Sequence, residues 1–353
     1  MRVNVLLPLC FGLLTITGCG GGPGLKRIIV LENGHSPFWD AAQAGIKEAN
    51  KDFKLEEAGL TASLETNDGS PKGQIDRLRQ FASQADIVGI AISVTDADNV
   101  QIADELRKFQ EKGVKVVTVD SDLNRDKLRD ARFAFIGTDN LAGGRELGKC
   151  ALGLRPDGGE WVSFVGRTGA QNAIERVDGF AQGAGPKFKK LDNMGDDIDR
   201  SRARENVRNA IRNHPGLNTL VGIWSYNAPA IADVVKEMNK RSSMTVVVFD
   251  AEPLAIKEMA EGTIDAMVVQ DPYKMGYEST RLLKAMVKND ETTIREMFPR
   301  HGQADGDIYD TGLKVVVPNE GSPLKPSMFD KDAQFLKLEQ FRQWLAKYNL
   351  SGS

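Results

Sequence analysis

Short runs of β-branched and apolar residues alternate with helical segments along most of this chain. The runs are Arg27–Leu31, Ile87–Ser93, Val114–Asp120, Phe133–Gly137, Trp161–Val165, Leu220–Trp224, Thr245–Phe249 and Ala266–Gln270. Between them stand segments with apolar positions at helical spacing, such as Ala41–Ala58, Ile75–Gln84, Asn99–Lys112, Leu141–Leu152 and Ala203–Asn213. A strand that is apolar throughout has both faces covered, and strands joined through helices run parallel. The pattern specifies an α/β fold built of doubly wound, Rossmann-like parallel sheets. Two such series follow one another, the first to about Thr138 and the second from about Asp139 to Gln270. A chain of 353 residues exceeds the roughly 250–300 that one hydrophobic core supports, so two lobes are expected.

The N-terminus carries an address. Val3 to Ile16 is apolar, uncharged, preceded by Arg2 and too short to span a bilayer, which is the pattern of an export signal. Ile16-Thr17-Gly18-Cys19 resembles a bacterial lipobox, where the signal (1–18) is removed and the new N-terminal cysteine is lipidated. Cys19 would then anchor the chain in a lipid bilayer, and residues 19–24, rich in glycine, would form a flexible tether. Cys150 is the one remaining cysteine and has no disulfide partner within the chain. A net charge of −3 gives no electrostatic case for nucleic acid as a partner.

In open α/β sheets the ligand sits beyond the carboxyl ends of the strands. The residues found there are Ser36-Pro37-Phe38-Trp39, Asp120-Ser121-Asp122, Ser225-Tyr226-Asn227, Asp250 and Gln270-Asp271-Pro272. Carboxylates and amides exchange hydrogen bonds with hydroxyls, and aromatic rings offer flat apolar faces to the C–H side of a sugar. Taken singly, each has a plainer role: a strand-end aspartate is often a helix cap, and Phe38 and Trp39 fit the core of a starting helix. Gathered at one edge of two sheets, they suit a small polyhydroxylated molecule.

Several motifs extend this reading: Ser36-Pro37-Phe38-Trp39, Val119-Asp120-Ser121-Asp122, Ile136-Gly137-Thr138-Asp139-Asn140, Glu175-Arg176-Val177-Asp178-Gly179-Phe180, Tyr226-Asn227, Val248-Phe249-Asp250 and Val269-Gln270. In order and spacing, the chain from Lys26 to about Pro318 resembles periplasmic sugar-binding proteins of the ribose-binding type, the substrate-binding subunits of ABC importers. The resemblance implies the type I periplasmic binding protein fold, two lobes joined by a three-segment hinge, with a sugar or polyol held between them. Crossings are expected near Thr138–Asn140, Gln270–Pro272 and Arg300–Asp307. The N-terminal lobe would be 25–138 plus 271–300, and the C-terminal lobe 139–270 plus 301–318. Residues 319–353 would form an extension with an amphipathic helix. Phe38 and Trp39 would stack on the sugar, Asp120, Asp250 and Arg176 would make charged hydrogen bonds, and Asn227 and Gln270 neutral ones. Arg176 also has a plainer role as an ion-pair partner of Asp178 or Glu175. The chain departs from ribose binders at Ser36, where asparagine is usual, at Ser121, where they carry arginine, and at Ile198, where they carry an aromatic. A ligand other than ribose is implied.

The resemblance further implies hinge closure, delivery to a membrane permease of an ABC importer, no cofactor, no catalysis, a monomer, and a location in the cell envelope on the periplasmic side. Passing the closed state to a chemoreceptor or sensor kinase is the alternative, and an α/β enzyme acting on a sugar is a further one. A sugar-responsive transcription factor would need a helix-turn-helix where this chain has an export signal. Gly166-Arg167-Thr168-Gly169 lacks the spacing of a phosphate loop, and Asp305-Gly306-Asp307 lacks the rest of a calcium loop. His35, His214 and His301 lie far apart, with no metal-ligand spacing. Phe341, Trp344, Leu345 and Tyr348 mark the C-terminal helix, expected to pack on its own lobe, with partner docking as the alternative.

Overall fold

The computed structural model describes residues 24–353. The expected signal at 1–18 and Cys19 lie outside the described residues. In chain order the elements up to the first crossing are β1 (Lys26–Leu31), α1 (Pro37–Asp52), β2 (Leu60–Glu65), α2 (Pro71–Ala82), β3 (Ile87–Ile92), α3 (Val100–Glu111), β4 (Lys115–Val119) and β5 (Phe135–Gly137). The second series is α4 (Asn140–Leu154), β6 (Gly159–Val165), α5 (Gln171–Ala184), β7 (Phe188–Gly195), α6 (Arg200–Asn213), β8 (Leu217–Gly222), α7 (Asn227–Glu237), β9 (Thr245–Phe249), α8 (Pro253–Ala260) and β10 (Ala266–Val269). There follow α9 (Pro272–Lys288), α10 (Glu291–Met297), β11 (Ile308–Asp310), β12 (Leu313–Val317), β13 (Ala333–Lys337) and α11 (Leu338–Lys347).

Two sheets result. The first has the order β11-β5-β4-β3-β1-β2 and the second β13-β12-β10-β9-β8-β6-β7. All pairings are parallel except β10 with β12, where the chain returns from its last crossing. The central strands read as continuous apolar runs because helices cover both faces; β9 is buried at every position. β2 and β7 had no such signal. Both are edge strands with half-exposed, polar sequences, LTASLE and FKKLDNMG. Helix α1 begins four residues before the expected Ala41, because Pro37 suits the first helical position, and Lys54 beyond its end is left-handed at φ 50°.

The third crossing differs from expectation. Ile308–Asp310 pairs with β5, so residues 301–310 accompany the first sheet, and the chain crosses at Thr311–Gly312 rather than near Arg300–Asp307. A three-residue edge strand has too little apolar sequence to announce itself. Residues 319–353 are likewise no separate extension. β13 adds to the second sheet, and Leu338, Phe341 and Leu345 of α11 enter the core with Ile256, Met259 and Met267.

Close packing of α4 on α5 sets the position of the second lobe's cleft helix. A Cβ on Gly144 would collide with the Arg176 carbonyl, and one on Gly179 with that of Leu141. The crossings are tied to one another: Thr311 N–H donates to Gly137 O at 2.7 Å, and Lys314 Nζ lies 3.2 Å from Asp271 Oδ2.

Candidate functional site

The carboxyl ends of the two sheets face each other across a cavity. Asn33, Ser36, Phe38, Trp39 and Asp120 line it from the first lobe, and Asn172, Arg176, Ile198, Trp224 and Asp250 from the second. The lobes meet around it. Arg167 Nε donates to Gly69 O at 2.7 Å, Ala97 N–H to Gly169 O at 3.2 Å, and Arg125 pairs with Glu175 at 3.1 Å. Ile198 packs over Gly34 and Gly69 of the opposite lobe. The molecule is closed.

The two strand-end aspartates are built alike. Asp120 after β4 has φ 62° and Asp250 after β9 has φ 63°. Each backbone N–H still completes the sheet, to Ile136 O at 3.1 Å and Val268 O at 2.8 Å. The left-handed turn comes immediately after the strand, and aspartate tolerates it better than most residues. Burial raises the Asp120 carboxyl above its ordinary range, opposed by the nearby Arg176 charge, the Ser93 hydroxyl and the Asn172 amide. Burial likewise pushes Asp250 up to about 6 against the pull of Arg176.

Arg176 is 1% exposed and lies between the two. Its Nε donates to Asn140 Oδ1 at 2.9 Å and one terminal nitrogen to Ile223 O at 3.0 Å. That nitrogen is 3.9 Å from Asp250 Oδ2, and the guanidinium stacks 4.0 Å over the Phe249 ring. Its other terminal nitrogen is buried with no hydrogen-bond partner among the described residues. Phe38 and Trp39 meet edge to face, with centroids 5.2 Å apart.

The family description "Periplasmic binding protein domain" matches residues 28–291, three-quarters of the chain. The chain belongs to that family. It is 24% identical over 283 residues to the D-allose-binding periplasmic protein of Escherichia coli (strain K12), covering 78% of this chain and 89% of that one. It is 22% identical to the ribose import binding protein of the same organism, over 82% of this chain and 89% of that one. The fold is similar to an ABC transporter solute-binding protein of Burkholderia graminis in complex with D-arabinose. There the TM-score is 0.71 and the identity 26%, over 84% of this chain and 96% of that one. A solute-binding protein of Agrobacterium vitis with bound D-fucose gives a TM-score of 0.73 at 21% identity, over 86% and 98%. Periplasmic binding proteins of this kind are exported.

Within this periplasmic binding protein the expected residues divide. Ser36, Phe38, Trp39, Asp120, Arg176 and Asp250 come together on the cavity. Gln270 stands behind it, donating from Nε2 to Asp250 Oδ1 at 2.9 Å, with its Oε1 buried and without a partner among the described residues. Ser121 and Asn227 are not on the cavity wall. The left-handed Asp120 turns Ser121 back into its own lobe, where it bridges to Val119. Asn227 opens α7 and is used internally: its Oδ1 accepts from Trp224 N–H at 3.0 Å and its Nδ2 donates to Asp196 at 2.9 Å. Arg176 pairs with Asp250 rather than with Asp178 or Glu175. Asp122 is a structural residue, bound to Arg132 and Arg125.

Asn33, Asn172 and Trp224 were not singled out from the sequence as ligand contacts. β8 ends at Gly222 rather than at Trp224, which releases Trp224 into the cleft loop. Asn172 carries a readable signal: it stands four residues before Arg176 on α5, and positions i and i+4 share a helix face.

Proposed function

We propose that this protein binds a monosaccharide or related polyol between its lobes and delivers it to the permease of an ABC importer. The observation that carries the reading is the unpartnered nitrogen of the buried Arg176 guanidinium, set in a closed, aromatic-walled cavity beside two carboxylates. A buried donor without a partner costs about 1–3 kcal/mol, and a ligand hydroxyl recovers it. Charged hydrogen bonds are worth about 1.5–3 kcal/mol each, and micromolar affinity needs roughly 8 kcal/mol. Three such bonds with aromatic burial meet that requirement. Relatives named for ribose and D-allose, and solved neighbours holding D-arabinose and D-fucose, support the same ligand class.

Ligand held by both lobes favours the closed state over the open one. Saturating sugar should therefore compact the protein in small-angle scattering and raise its melting temperature, and the sugar should be recovered unchanged. Turnover of the bound sugar would move the reading to an enzyme. Unchanged scattering with bound sugar would contradict closure.

Asp250 gives the affinity a pH dependence. A sugar hydroxyl donates to the ionised carboxylate, and protonation removes that acceptor. With the carboxyl at about 6, affinity should fall as the pH drops below that value, approaching about tenfold per unit. Asp250→Asn should bind more weakly at neutral pH and lack the break near 6. Calorimetric titrations across this range give both curves, and superimposable profiles would exclude Asp250 as the group.

A lipid anchor at Cys19 fits an importer, because it keeps the cleft near its membrane partner. Each buried CH₂ contributes about 0.8 kcal/mol, so two or more acyl chains hold firmly. Cys19→Ala should release the protein into the soluble fraction with sugar affinity unchanged. Retention of that variant in the membrane fraction would refute the anchor.

A further inference from the structure

Both cleft tryptophans have their single polar atom occupied by an asparagine. Trp39 Nε1 donates to Asn33 Oδ1 at 3.3 Å, and Trp224 Nε1 to Asn172 Oδ1 at 3.1 Å. Asn33 then turns to a carboxylate on the cavity wall. Asn33 Nδ2 lies 3.3 Å from Asp120 Oδ2. All five residues line the cavity. Trp39, Asn33 and Asp120 belong to the first lobe, and Asn172 and Trp224 to the second.

We propose that Asn33 and Asn172 are positioning residues, each holding the aromatic wall of its own lobe by the indole N–H, with Asn33 tying the first wall to the carboxylate of Asp120. The amide geometry has a direct consequence. An asparagine offers one acceptor and two donors, so an amide that accepts an indole N–H is oriented to donate elsewhere. For Asn33 that second partner is Asp120. The indole N–H groups are thereby withheld from the ligand, and the rings present their faces. Recognition of hydroxyls falls to Asp120, Asp250 and Arg176.

Trp39, Asn33 and Asp120 share a lobe, as do Trp224 and Asn172, so both indole bonds persist when the cleft opens. Each asparagine thus sets its ring before the lobes meet.

The proposal rests on the sugar-cleft reading for its affinity arm and stands free of it for a spectroscopic arm. In sugar-free protein, the four tryptophan indole N–H resonances are observed by ¹H–¹⁵N correlation. Asn172→Ala should move the Trp224 signal and Asn33→Ala the Trp39 signal, leaving Trp161 and Trp344 in place. If neither substitution moves its partner's signal, the proposal is overturned whether or not any sugar binds. The affinity arm titrates D-allose, D-ribose, D-arabinose and D-fucose and takes the one that binds wild type most tightly. Asn172→Ala should weaken it about tenfold with the melting temperature of the sugar-free protein kept. Trp224→Phe keeps a ring but loses the N–H, and the double variant should be no weaker than the poorer single one. Additive losses would overturn the coupling. Failure of all four sugars to bind wild type would count against the sugar reading, and the indole shifts would still decide the positioning.

Discussion

Arg176→Met removes sugar binding from this protein, with an expected loss of at least about 100-fold in affinity. The guanidinium is fixed on three sides, by Asn140 Oδ1, the Ile223 carbonyl and the Phe249 ring, and faces the cavity with its free nitrogen. Methionine fills part of the space and supplies no donor. A charge-assisted bond to the ligand disappears, at about 1.5–3 kcal/mol. Asp120 and Asp250 also lose the positive charge that opposes their desolvation. Both carboxyls then rise further, which weakens their own bonds to hydroxyls. The two losses together exceed the roughly 2.8 kcal/mol that a 100-fold change requires. Isothermal titration of the folded variant decides it. Binding within threefold of wild type would show that Arg176 is a strut and not a ligand contact.

The largest effect on stability is expected outside the cleft, at Arg132. Its side chain is fully buried. It grips Asp122 through two bonds of 2.9 and 2.6 Å and donates a third to Asp307. Asp307 begins the path into β11, so this arginine fastens the last segment of the first sheet to the loop after β4. Arg132→Met leaves Asp122 buried with a smaller share of positive charge, and breaking a buried pair costs about 3–5 kcal/mol. Arg125 and Arg129 still pair with the two aspartates, which puts the expectation near the lower bound.

Acid reports the same network. Burial alone would raise Asp307, but Arg129 and Arg132 hold it down at about 2, and Asp122 is lowered as well by Arg132. A carboxyl depressed by folding stabilises above its unfolded value of about 3.9 and loses that contribution as pH falls through its folded value. The gap between wild type and Arg132→Met should be full at neutral pH and close between about pH 4 and 2. Denaturant titrations at several pH values test this. A gap independent of pH would mean that lost packing, not lost charge, sets the cost.

How far the sequence could be read follows from what each element has to bury. β3 and β9 lie between helices, so their residues are apolar without alternation and the strands are plain. β2, β7 and β11 stand at sheet edges and had only half a face or a few residues to declare themselves. The same physics moved the third crossing, because β11 was invisible. At the site, the rule that ligands sit beyond strand ends brought Phe38, Trp39, Asp120 and Asp250 to one cavity. Single-residue geometry lay beyond it. A left-handed Asp120 turns Ser121 away, and a helix starting at Asn227 commits that amide to Trp224 N–H and Asp196. Asn172 was legible one helical turn before Arg176. Its role needed the position of Trp224, which depends on β8 ending two residues earlier.

Sugar binding itself is decided by one titration. Purified protein, freed of carried ligand by reversible unfolding, is titrated calorimetrically with D-allose, D-ribose, D-arabinose, D-fucose and a wider set of hexoses and polyols. The prediction is one-to-one binding of at least one of them at micromolar or tighter affinity, about 8 kcal/mol or more. A correctly refolded protein that gives no binding heat with any of them at millimolar concentration, at more than one temperature, would contradict it.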